Sequence, residues 1–114
     1  MTANQFRRIA LRLPEATEQM HMQHPDFRVR GKIFATLGYP DDTWGMVKLT
    51  PEQQAEWVKS DPAAFAKISG TWGERGATRV HLKPAKAAAV QGALLAAWRN
   101  VAPRALVEEW EGSM

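Results

Sequence analysis

Apolar residues recur at helical spacing near both ends of the chain and at strand spacing between them. Phe6, Ile9, Ala10 and Leu13 follow the i, i+3, i+4, i+7 rule and predict a helix capped by Thr2 or Asn4. Leu13-Pro14 ends it, because the residue before proline is pushed out of the helical region. From Thr17 to Gln23 the period falls to two, with Met20 and Met22 alternating against Gln19, His21 and Gln23. Pro25-Asp26 supplies a turn, and Phe27 and Val29 then point opposite to Arg28 and Arg30. After Gly31 the alternation resumes at Ile33, Ala35 and Leu37. The stretch predicts two short strands around a tight turn, with cationic side chains gathered on one side.

Gly38 to Thr43 is rich in turn residues, and Trp44 to Leu49 predicts another strand. Thr50-Pro51-Glu52-Gln53 carries a helix start: Thr50 caps, Pro51 takes the first helical position and Gln53 completes a capping box. That helix runs through Ala55 and Trp57-Val58, and Asp61-Pro62 restarts a turn toward Phe65. Ser69 to Gly76 holds glycines at 70, 73 and 76 around Trp72, which predicts a flexible loop with one large aromatic. Thr78, Val80 and Leu82 alternate with Arg79 and His81 as a further strand. Pro84 opens the longest helix, with Val90, Ala93, Leu94, Ala97, Trp98 and Val101 as its stripe, and Pro103 starts a last one through Leu106, Val107 and Trp110. Trp57, Trp98 and Trp110 lie on these stripes and are expected in the core.

The order of elements predicts an α+β fold, a single-domain two-layer sandwich over residues 1–114 with helices packed on one face of a curved antiparallel sheet. A chain of 114 residues that is 45% hydrophobic builds one core without staples. Cysteine is absent, which excludes thiolate catalysis, disulfides and cysteine metal sites. No apolar run reaches membrane-spanning length, and Met1-Thr2-Ala3-Asn4-Gln5 lacks the basic start and apolar core of a secretion signal. The expected location is the cytoplasm, and the expected state a monomer, with an exposed edge strand that leaves pairing of two copies open.

Net charge is only +3, but the charges segregate. Residues 1–12 hold Arg7, Arg8 and Arg12 without an acid, and no acid lies between Arg75 and Arg104. Such asymmetry favours an anionic partner. If helices cover one sheet face, alternation gathers Arg28, Arg30, Trp44, Lys48, Arg79 and His81 on the other. Lys32 then stands at the hairpin turn and Arg75 near the same surface, with Trp72 as a stacking residue. Cations supply phosphate contacts and a flat aromatic stacks an unpaired base. The alternatives are structural. Arg28, Arg30 and Arg79 pair with acids such as Glu18, Lys32 keeps the hairpin tip soluble, and Trp72 plugs the loop into the core.

Enzymatic chemistry finds little footing. Asp41-Asp42 sits in a turn, Ser60 reads as a helix cap, and Gly70 to Gly76 lacks the spacing of a phosphate-binding loop. His21, His24 and His81 do not take metal-ligand spacing and have no carboxylate cluster beside them, so no metal or cofactor is expected.

Several stretches together resemble the MmcQ/YjbR-like family of small bacterial proteins: Arg8, Leu11 and Leu13-Pro14; Phe27 through Ala35; Lys48 with Thr50-Pro51-Glu52; Trp72 with Val80-His81-Leu82; and Trp98 through Pro103. The resemblance implies a frataxin-like sandwich with a double-wing arrangement, and a DNA-binding label. With it the expected function is low-specificity binding of DNA or RNA through Arg28, Arg30, Lys32, Lys48, Trp72, Arg75 and Arg79. The rival expectation is a domain that uses the same basic face for an acidic protein or a small anion.

Overall fold

The computed structural model describes residues 1–113. Its elements run α1 (Ala3–Leu11), β1 (Ala16–His21), β2 (His24–Val29), β3 (Lys32–Leu37), β4 (Trp44–Lys48), α2 (Pro51–Ser60), β5 (Phe65–Lys67), α3 (Thr71–Glu74), β6 (Ala77–His81), α4 (Ala87–Val101) and α5 (Arg104–Gly112). One antiparallel sheet joins the strands in the order β1-β2-β3-β4-β6-β5. This is the α+β sandwich the pattern predicts.

Capping chemistry places two helix starts. Thr2 and Gln5 exchange side-chain and backbone hydrogen bonds at α1, and Thr50 and Gln53 do the same at α2. The apolar stripes of α1 and α4 close over the sheet. Phe6, Ala10, Val90, Ala93, Leu94, Ala97 and Trp98 join Phe27, Ala35, Leu37, Val47 and Val80 in one buried cluster. Trp57 and Trp110 pack against its margin. Cross-strand partners share a face, so Ala35 opposite Val47 and Gly45 opposite Val80 mark the helix-covered side. Asp26, Thr36, Met46 and Arg79, aligned across β2, β3, β4 and β6, mark the other.

Several expectations change. The first hairpin turns at Met22-Gln23, both with positive φ, while Pro25 and Asp26 lie within β2. Arg30 and Gly31 form the second two-residue turn, with φ of 50° and 80°, the geometry that suits the twist of paired strands. Arg30 therefore leaves the face that carries Arg28. A bulge opposite Phe27/Arg28 puts an extra residue into β3, so consecutive Phe34 and Ala35 are both buried and Ile33 leaves their side. Residues 65–67, too short for periodicity, form β5 against β6. The glycine-rich stretch is the helical turn α3, and α4 starts at Ala87, beyond a turn at Pro84.

Candidate nucleic-acid interface

The seat of α3 explains why a glycine-rich stretch is ordered. Gln54 of α2 is buried and its amide donates to the carbonyls of Gly73 (3.0 Å) and Ala77 (2.9 Å). Gly73 lies so close to the Ile68 carbonyl that no side chain fits there. The turn is thus clamped between α2 and the end of β5. Trp72 is forced outward and is 56% exposed, so it is not a plug for the core.

Trp72 forms a wall common to two recesses. One, of about 340 Å³, is lined by Lys48, Thr50, Trp72, Arg75 and Asn100. The other, of about 420 Å³, lies on the open sheet face. Its lining includes buried Met46 and half-buried Thr36, together with Tyr39, Trp72, Met22, Ile68, His21, His24 and Arg79. Tyr39 meets His24 edge-on at a centroid distance of 5.7 Å. Beside Arg79, Trp44 stacks on His81, with centroids 4.2 Å apart and planes 11° from parallel. The Arg79 guanidinium lies 5.4 Å from the Trp44 ring centre. Cation–π attraction of this kind fixes the guanidinium without consuming its charge.

The expected basic site divides in two. Lys48, Arg75 and Arg79 gather around Trp72, and among the described residues none of them is in an ion pair. Arg28 and Arg30 are neutralised locally. Arg28 makes a bidentate pair with the buried Asp26 carboxylate, at 2.8 and 3.0 Å, which holds its pKa above the ordinary value. Arg30 binds Glu15, at 2.9 Å through Nη2. Glu18, the acid expected opposite these arginines, instead meets Arg7 of α1. Lys32 is exposed beyond the turn and stands apart from the Trp72 cluster. Among the described residues no group of three or more histidines and carboxylates is arranged to hold a metal.

The pair at the hairpin carries a pH prediction. Hydrogen bonding to Arg30 holds the Glu15 carboxyl below its ordinary value of 4.5. A carboxyl depressed on folding adds stability above its unfolded pKa and loses it as pH falls through the folded value. Urea melts should therefore show Glu15→Gln less stable than the parent at pH 7, with the gap closing below about pH 4.5. A gap of the same size at pH 3 would refute this.

Tyr39, Met22, Met46 and Ile68 were not legible as site residues, because they come from a loop, a hairpin turn, a strand centre and the residue after β5. The one available signal was Tyr39, the single tyrosine, placed in a stretch of turn residues.

A family model described as YjbR matches residues 11–100. Among solved structures, the fold is similar to that of Deinococcus radiodurans protein DR2400, described as a DUF419 domain. The TM-score is 0.73 at 18% sequence identity, over 95% of this chain and 86% of that one. No curated protein matches the chain significantly.

Proposed function

The chain belongs to the YjbR family, and we propose that this member is a non-enzymatic module that binds nucleic acid on the open face of its sheet. The observation that carries the reading is exposed Trp72 flanked by Lys48, Arg75 and Arg79, cations without carboxylate partners among the described residues. An aromatic surface beside unneutralised cations offers a base a stacking partner and its phosphates a counter-charge. Among the described residues no base-reading helix enters this arrangement, which fits low sequence specificity. DNA and RNA are both acceptable to such a surface, and a cytoplasmic location fits either partner.

The ion pairs at Arg28 and Arg30 lower the expected number of phosphate contacts. With Lys48, Arg75 and Arg79 engaged, log K for a single-stranded oligonucleotide should fall against log salt with a slope of roughly −2. Fluorescence anisotropy across a salt series measures it. Arg79→Glu should weaken binding at low salt and reduce the slope by about one. Removing the neutral pair as a unit, Arg28→Gln with Asp26→Asn, should leave the slope unchanged. Absence of binding at low salt, or an unchanged slope in Arg79→Glu, would defeat the proposal.

A further inference from the structure

We infer that the cavity on the open face is a seat for one unpaired nucleobase, whose adjoining phosphate meets Arg79; the inference rests on the nucleic-acid reading. Three observations lead to it. The first is shape. A hollow of about 420 Å³ is large enough for a planar ring with part of its sugar and too small for a stacked pair of nucleotides.

The second is uncovered apolar surface. Tyr39 is 66% exposed, Met22 81% and Trp72 56%, all lining the same hollow. Scattered exposed apolar residues are ordinary, but three converging on one concavity constitute a patch with something to gain from a flat apolar ligand. Tyr39 and Trp72 offer ring faces or edges, and methionine adapts to rings of different outline.

The third is the placing of polar groups. Arg79 sits directly across from Met46 on neighbouring strands, so a cation adjoins the apolar floor. It lies over the Trp44 ring and carries no ion pair among the described residues. The Thr36 hydroxyl and the rings of His21 and His24 supply hydrogen-bonding groups to a base edge. Among the described residues no carboxylate lines the hollow, so the site opposes one negative charge with one positive and leaves the rest of the ligand neutral. A neutral planar ring attached to a single anionic group is the repeating unit of a nucleic-acid strand. A paired duplex keeps that ring stacked between its neighbours, so the seat selects unpaired strands.

The test compares two single-stranded oligonucleotides of equal length and salt condition, one intact and one with abasic sugars throughout. Both present the same phosphates, and anisotropy reports each. The intact strand should bind at least tenfold tighter, with quenching of tryptophan fluorescence that the abasic strand does not produce. Tyr39→Ala and Trp72→Ala, both at exposed positions, should each bring the two affinities closer while circular dichroism stays native. Equal affinity of the two strands would overturn the base seat and leave the wider reading standing. Failure of both strands to bind at low salt would overturn the wider reading and the seat with it.

Discussion

Trp98→Ala should lose roughly 3–5 kcal/mol of stability, the range for deleting a buried large aromatic. Trp98 is fully buried within the helix-covered core, and its ring meets Trp110 at 5.8 Å in an edge-to-face arrangement. Its indole N–H donates to the Pro14 carbonyl at 3.0 Å, tying α4 to the α1–β1 turn across 84 residues of sequence. Alanine leaves a large void and an orphaned carbonyl together. Domains of this size are held by about 5–15 kcal/mol in total, so the loss is a substantial fraction of it. For a chain of this length each kcal/mol moves the melting temperature by about 4 °C, which puts the expected fall at roughly 12–20 °C. Trp98→Phe keeps most of the volume and removes the donor, and should cost about 1–3 kcal/mol. Thermal and urea melts measure both. A loss for Trp98→Ala no larger than that for Trp98→Phe would show that the void collapses and that the hydrogen bond dominates.

Trp98 also shows what kind of information the sequence carries. Its place on the core stripe followed from spacing with Val90, Ala93, Leu94, Ala97 and Val101, because a helix repeats its buried face at a fixed interval. The same reasoning reached α1, α2, the central strands and the capping box at Thr50, where side chains contact backbone a few residues away. At α1 it reached a cap at Thr2 or Asn4 but not the box that Gln5 completes. It failed where long-range partners decide. A three-residue strand such as β5 exists because β6 offers it a ladder, and no local period announces it. The bulge in β3 came from pairing with β2, and it moved Ile33 away from the face that alternation assigned.

The site was half legible for a related reason. Alternation placed Lys48, Arg79, Trp44 and His81 on the open face together. Charge alone did not reveal which arginines are free. Asp26 lies two residues from Arg28 on the same strand face and neutralises it, and Glu15 reaches Arg30 from the α1–β1 turn. The first pairing follows from strand geometry and was available to inspection. The second needs the hairpin's position beside that turn, which only the folded chain supplies.

Gly73→Ala should be nearly as damaging as the loss of Trp98, for the opposite physical reason. A Cβ at Gly73 would stand 1.4 Å from the Ile68 carbonyl oxygen and 2.5 Å from its carbon. These are backbone atoms, so no rotamer change relieves the overlap, and α3 must lift from β5. Overpacking of this kind costs about 3 kcal/mol, and more where the backbone cannot yield. Gly31 provides the contrast. It has φ of +80°, and a Cβ there meets nothing within 4 Å, so Gly31→Ala carries conformational strain alone. That strain is about 1–2 kcal/mol. The damage at Gly73 extends beyond stability, because the same turn holds Trp72 and accepts the buried Gln54 amide at 3.0 Å. Lifting α3 breaks that hydrogen bond and removes the shared wall of both recesses. Gly73→Ala should therefore lower the melting temperature well below that of Gly31→Ala. At temperatures where both remain folded, it alone should weaken oligonucleotide binding. Equal melting temperatures for the two variants would mean that α3 is not clamped, and that Trp72 reaches its outward position by some route other than the close approach of Gly73 to Ile68.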